Sequence, residues 1–356
     1  MTPSTQPIEI IGGGLAGLSL GLALRRHAVD VTLFEAGNYP RHRVCGEFIA
    51  GLTTPTITRL GLAPFLADAL SHREVAWFLD DSGRPARLQA LPSPALGISR
   101  RVLDARLAAA FAAAGGDLRT GTRSTDLAPR AGRVFATGRR RSPSPWLGLK
   151  LHVHGLTLAK DLELHLGEHA YVGLAKVESG AVNVCGLFRR RVPVARPAPK
   201  TESNVSRYSG PEVLLDYLAT ARLGWLAARL RAADLDHDSF CAVAGVGFNA
   251  RVPASNRVSL GDACAMIPPF TGNGMAMAFQ SAEIALDPLV AYAHGRTTWS
   301  AASGVINDTL RREFRLRLAT ADALHPFLLT PPRQRWLRTL NRARLLPLRP
   351  LYAALH

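Results

Sequence analysis

The chain has 356 residues, 47 % of them apolar, with 43 basic against 27 acidic side chains and a formal charge of +16. That length accommodates two domains, or one large composite domain, around a sizeable core. Almost all of the basic excess is Arg spread along the chain, with no basic stripe interleaved with aromatics, so nucleic-acid binding is not expected; the four cysteines, Cys45, Cys185, Cys241 and Cys264, form no CxxC, so a reducing compartment and no metal knuckle are.

The first apolar run, Ile8 to Ile11, reads as a buried strand, and no basic segment precedes it, so no secretory leader is expected and the location is read as cytoplasmic. Gly12, Gly14 and Gly17 follow as GxGxxG where strand turns into helix, and a second apolar run ends at Glu35, about 20 residues on. Each part has a job in holding a dinucleotide: Gly12 permits the tight turn, Gly14 lets a pyrophosphate approach the backbone, and Gly17 lets helix pack on strand. The free N–H groups and positive dipole end of the helix start, at Leu15 and Ala16, hold phosphates. The Glu35 carboxylate, followed by Ala36, accepts hydrogen bonds from ribose hydroxyls.

Residues 36–51 read as a loop over the sheet, in which Arg43 is placed to reach the nucleotide and Arg41 reads as solvated. Leu52 to Leu70 reads as helix. Glu74 to Leu91 switches to period two around Asp80-Asp81-Ser82-Gly83, a hairpin that takes the chain into a second sheet. Ile98 to Ala114 returns to helix, stopped by Gly115 and Gly116. Short strands at Leu118 to Thr122 and Arg133 to Thr137 precede a Gly/Pro/Ser breaker over 136–146. Four runs from Leu149 to Arg189 make an antiparallel sheet; 192–209 is a Pro-rich linker, and Pro211 to Ala232 a helical stretch. Phe240 to Phe248 and Asn256 to Leu260 are further strands. The second runs into Gly261-Asp262, a Pro-containing loop, and Gly272 and Gly274 ahead of a helix from about Met275 to Ala291. Asp262 can hydrogen-bond a polyol chain, and this second helix start can stabilise charge at N1–O2 of a reduced isoalloxazine, which points to FAD rather than NAD.

Four motifs together resemble FAD-dependent oxidoreductases of the geranylgeranyl reductase and para-hydroxybenzoate hydroxylase type. They are GGGLAG with Glu35; PRHRVCGEF, similar to the reductases' Pro-Arg-x-Lys-x-Cys-Gly-Gly; SRRVLDARL, similar to their Arg-x-x-Phe-Asp-x-x-Leu; and GDACAMIPPFTGNG. The resemblance implies that Arg43 and Arg100 contact the phosphate or adenosine region, that Gly272, Asn273, Gly274 and Met275 line the pyrimidine side of the flavin, and that Cys45 and Gly46 lie near its reactive face, where Cys45 is read as a catalytic candidate, a redox or substrate-facing thiol, or else as a small packing residue. Thr137 and Gly138 fall at the middle motif, where the hydroxylases carry Gly-Ala-Asp-Gly. Glu47 stands where the reductases carry the second Gly, and is read as a proton donor near the flavin or as a solvated loop carboxylate.

The expected fold is α/β: a Rossmann-like FAD-binding domain with a mainly parallel sheet built from 1–72, 98–147 and 240–330, an antiparallel-sheet substrate domain from 73–97 and 148–239, and a basic amphipathic helical tail, 331–356. The tail, with Trp336, Leu340 and Ala343 on one face and Arg335, Arg338 and Arg342 on another, is read as covering the protein's own core, or else as resting on an anionic membrane surface. His152, His154, His165 and His169 complete no metal pattern, and no metal is expected. The expected function is oxidoreduction of an apolar or aromatic small molecule, either by hydride transfer from flavin N5 to a C=C bond or by hydroxylation through a flavin C4a-hydroperoxide. The electron donor is NAD(P)H or a reduced protein. A non-catalytic or RNA-associated flavoprotein is the alternative that the charge raises.

Overall fold

A computed structural model of the chain describes residues 6–139, 142–190, 210–248, 257–343, 345 and 348–355. In chain order the elements are β1 (Ile8–Ile11), α1 (Leu15–Arg26), β2 (Val31–Phe34), β3 (Phe48–Ile49), α2 (Thr54–Leu60), β4 (Leu70–Phe78), β5 (Arg87–Gly97), α3 (Arg100–Ala113), β6 (Asp117–Arg119) and β7 (Arg133–Phe135). Next come β8 (Trp146–His154), β9 (Leu162–Gly167), β10 (Ala170–Lys176), β11 (Val182–Arg189), α4 (Pro211–Thr220), α5 (Gly224–Arg231), β12 (Asp234–Ala244) and β13 (Val258–Ser259). Four helices finish the chain: α6 (Gly274–Ala293), α7 (Trp299–Leu329), α8 (Pro331–Arg342) and α9 (Leu348–Leu355).

The strands form two sheets, as the α/β reading expects. One has five strands in the order β13-β7-β1-β2-β6, every pair parallel. The other has eight in the order β12-β8-β11-β10-β9-β4-β5-β3, antiparallel except where β4 runs beside β9. Helix α1 is buried all round from Leu15 to Leu24, which is what an apolar helix needs when strands and helices cover every side. A Cβ at Gly17 would overlap the Gly12 carbonyl oxygen, so only Gly permits this approach of α1 to the end of β1.

The sequence reading departs from the structure in three places. The helix expected from Leu52 to Leu70 stops at Leu60, because Gly61 caps it in the left-handed region at φ +60 and Pro64 follows; the chain is already strand at Leu70. Phe48–Ile49, read as loop, pairs with β5. Strand β12 begins at Asp234 rather than Phe240. The linker expected over 192–209 and the strand start at Asn256 lie outside the described residues.

The pairing of the eight-stranded sheet decides which residues share a face. Leu149, Leu151 and Val153 of β8, with Val172, Leu174 and Val184, pack against Leu214, Leu215 and Leu218 of α4 and Leu226 and Leu230 of α5. The helix side also carries Glu163, whose carboxylate accepts from Arg229 at 2.8 Å, His165 at 2.8 Å and the Ala159 N–H at 2.7 Å. Burial alone would raise the Glu163 pKa, but these bonds outweigh it and hold the carboxyl down to about 2, against an ordinary 4.5. A depressed native pKa stabilises the fold above the unfolded value and loses that contribution as pH falls. Glu163→Gln is therefore expected to lower unfolding free energy by about 3 kcal/mol at pH 7. The gap from the parent should be full above about pH 4.5 and close towards pH 2, as urea titrations across that range would show.

Candidate active site

Between the end of the parallel sheet and the other face of the eight-stranded sheet lies a cavity of about 1350 Å³. That exceeds the roughly 300–1,000 Å³ of a pocket for one small ligand. Its floor is backbone. Gly12 and Gly14 meet Thr137, Gly138, Gly261 and Asp262 there, because strand order places β1, β7 and β13 side by side. A Cβ at Gly261 would sit 3.3 Å from the Cβ of Ala16, so the Gly261-Asp262 turn rests on the first turn of α1. The two glycine-edged helix starts thus converge on one cavity, which Gly272, Gly274 and Met275 also line. A Cβ at Gly46, Gly138 or Gly274 would meet nothing within 4 Å, so three stretches of bare backbone face open space.

Charge is concentrated at the α1 end. Arg100 lines the cavity, its guanidinium beside Gly14, and is held by both oxygens of the fully buried Asp104 at 2.7 Å. Arg43 reaches the same carboxylate at 3.1 Å. Asp262 is different. Its carboxylate has no hydrogen-bond partner among the described residues, and burial pushes its pKa up despite Arg100, Arg139 and Arg43.

Several expected site residues are placed otherwise than the motifs suggest. Glu35 borders the cavity, but its carboxylate already accepts from the Gly13 and Gly37 N–H groups at 2.9 Å each, from Arg41 at 2.6 Å and from Arg43 at 3.4 Å. A ribose hydroxyl would have to replace one of these; Arg41, read as solvated, is part-exposed, as is Arg43, which is also held by Asp104. Gly17 packs beneath the floor and does not line it. Asn273 is fully buried, its amide donating to the Leu355 carbonyl at 2.5 Å, so it ties α6 to α9 instead of facing the cavity.

Glu47 is neither cavity-lining nor solvated. It is fully buried at a left-handed φ of +52, and its carboxylate accepts from the Arg100 N–H at 3.0 Å and meets His152 Nε2 at 2.5 Å. Burial would raise its pKa; the His152 bond and the Lys150 charge overcome that and lower it. Cys45 lines the cavity as a protonated thiol, burial outweighing the charge of Arg100. Leu15, Ala16 and Ala36 line it as well.

The motif reading missed what the sheet contributes. Paired residues point to one face, so Cys241, Lys150, Cys185, Gly173, Leu164, Trp77 and Arg87 form one row across seven strands. All of them but the buried Lys150 line the cavity. The alternation in LKLHVHG carried the signal for Lys150 and His152, but nothing local said which face would be enclosed. His42, Glu47 and His152 bring one ligand atom each within 4.8 Å of one another, a spacing that suits a metal. The Lys150 Nζ, 2.9 Å from His42 Nδ1 and 3.7 Å from Glu47 Oε1, already puts a positive charge at that point.

The tail closes the far side. Gln334, Leu337, Arg338 and Asn341, at i, i+3, i+4 and i+7, turn inward, and Leu337, Leu340, Leu351 and Leu355 line the cavity. That stripe places Trp336 outward, 66 % exposed, not on the covered face with Leu340 as the tail reading has it. The side chain of Arg342 lies outside the described residues. No helix among the described residues is long and apolar enough to cross a membrane.

The NAD(P)-binding Rossmann-like domain family matches residues 10–44. A menaquinone reductase of Mycolicibacterium smegmatis is 26 % identical over 132 residues, 36 % of this chain and about a third of that relative's length. The p-nitrophenol 4-monooxygenase PnpA of Pseudomonas putida superposes with a TM-score of 0.71 at 14 % identity, covering 98 % of both chains. A variant of Klebsiella pneumoniae HpxO complexed with FAD superposes with a TM-score of 0.72 at 16 % identity, over 95 % of this chain and 94 % of the other. The chain therefore combines a Rossmann-like dinucleotide module with the overall fold of the FAD-dependent monooxygenases.

Proposed function

We propose that this protein is an FAD-dependent oxidoreductase that reduces a C=C bond of an extended apolar molecule. The observation that carries the cofactor is Asp262: a half-buried, cavity-lining carboxylate with no hydrogen-bond partner among the described residues, set in a bare-glycine cradle between two helix starts. It suits the ribityl hydroxyls, which are the donors it lacks. Gly12, Gly14, Leu15 and Ala16 would hold the diphosphate with Arg100 beside it, while Gly272, Gly274 and Met275 would take the pyrimidine edge at the positive end of α6. Bound and reduced, the flavin supplies a hydride from N5.

The substrate class follows from the remaining lining. Trp77, Leu164, Tyr171, Leu187 and Phe270, continued by Phe327, Leu337 and Leu340, offer a long apolar surface suited to an apolar substrate. The menaquinone reductase among the relatives supports the reductase branch. Hydroxylation of an aromatic ring is the second reading, supported by the fold shared with PnpA. Outside the cavity, Trp336 beside Arg333 and Arg335 supports a contact between α8 and an anionic bilayer, from which an apolar substrate would enter.

Purified protein is expected to be yellow and to release FAD on denaturation, and Asp262→Ala to weaken FAD retention by about tenfold, in line with losing bonds to a charged acceptor. Fluorescence titration of apoprotein with FAD measures this, and a colourless preparation would end the proposal. Reduction of menaquinone with NADH, NADPH or reduced ferredoxin, without stoichiometric O₂ uptake, separates the reductase branch from the hydroxylase. In flotation with phosphatidylglycerol vesicles, Trp336→Ser should bind several-fold more weakly than the parent; equal binding removes the bilayer contact.

A further inference from the structure

We propose that His42 and Lys150 deliver a proton to the molecule bound in the cavity, with Glu47 and His152 as positioning residues. This rests on the reading of the cavity as a flavin and substrate site. Reducing a double bond consumes one hydride and one proton, and the proton is the part that the polypeptide must provide.

Lys150 stands in the cavity-facing row between Cys241 and Cys185, yet is fully buried. Its Nζ lies 2.9 Å from His42 Nδ1. An ammonium has donors only, so Nδ1 accepts, and the neutral imidazole carries its hydrogen on Nε2. Burial, followed by the charges of Lys150 and His152, holds the His42 pKa down to about 4, against opposing pulls from Glu47 and Asp236. His42 is therefore a neutral donor at physiological pH, and it lines the cavity. The His152 ring stands edge-on to it at 5.1 Å and is itself fixed by Glu47 at 2.5 Å. Glu47 Oε1, 3.7 Å from Nζ, offsets the cost of burying the ammonium.

The step balances. The His42 Nε2–H bond breaks and its proton goes to the reacting atom of the substrate. A Lys150 N–H bond breaks as Nδ1–H forms. One proton has been delivered, no electrons have moved, and the imidazole is left neutral in its other tautomer beside a neutral amine; a solvent proton taken up at His42 Nε2, with the Nδ1 proton returning to Lys150, restores both groups before the next turnover.

The test uses holoprotein labelled with ¹⁵N-histidine, its His42 signals assigned with His42→Asn. The expected result is an Nε2–H tautomer that stays neutral down to about pH 4 and shifts its titration upward in Lys150→Met. A His42 that titrates near 6.5, or that carries its hydrogen on Nδ1, overturns the proposal. In single turnovers of dithionite-reduced holoenzyme with menaquinone in micelles, both variants should be slower by about 10²-fold and lose the solvent deuterium isotope effect of the parent. The parent's rate and isotope effect in either variant would also overturn it. Flavin absorbance per chain is read in the same samples: a parent without it fails the cofactor reading, whatever tautomer the histidine signals report.

Discussion

The structure depends on the approach of the first turn of α1 to the strand ends beneath it. Gly12, at φ +113, lies where a Cβ would overlap the Ala136 carbonyl, and Gly17 lies where one would overlap Gly12. The Ala136 N–H donates to Ile11 and the Leu260 N–H to Phe135, both at 2.8 Å, so β1, β7 and β13 end level. The turn at Gly261 is thereby set against Ala16. Any side chain at these points would lift α1 off the sheet and separate two helix starts that are far apart in sequence. The cavity floor is bare because close packing demands it, and a bare floor is also what a diphosphate needs.

The larger sheet completes the enclosure by dividing its faces. Its pairing sends leucines and valines toward α4 and α5 and sends Cys185, Trp77 and Leu164 toward the cavity. Charged groups on both faces are buried only in company: Glu163 with His165 and Arg229 on one, Lys150 with Glu47 and His42 on the other. An unpaired charge in either place would cost several kcal/mol. The Lys150 group meets the cavity through the His42 ring, whereas the Glu163 carboxylate is turned to Arg229 of α5.

The parts legible in the sequence were those with a local signature. The glycine fingerprint, the Asp262 turn and the hairpin within 70–97 depend on spacing and turn chemistry, and the structure has them where spacing puts them. The row through Lys150 was not legible, because it depends on register between strands from distant segments, and period two says that residues alternate without saying which face is enclosed. Trp336 was placed on the wrong face for a related reason: α8 is apolar on one stripe and aromatic on another, and only the packed neighbours decide which is covered. Glu35 shows a third limit, since its motif fixed its position but not the four donors that already hold it.

Glu47 joins the local and the non-local arguments. It occupies the second glycine position of the reductases' Cys-Gly-Gly, and its backbone is left-handed, the conformation that glycine adopts freely. A side chain there costs roughly 1–2 kcal/mol of backbone strain, and burying a carboxylate adds more. The chain meets both costs at once: the turn aims the carboxylate inward, where the Arg100 N–H, His152 and Lys150 receive it, and the Ile98 N–H binds the Glu47 carbonyl at 3.2 Å. The departure from glycine is therefore coupled to the buried lysine 3.7 Å away. Removing Glu47 would leave the Lys150 ammonium buried without its carboxylate, so the two residues are best understood as a single feature of this protein.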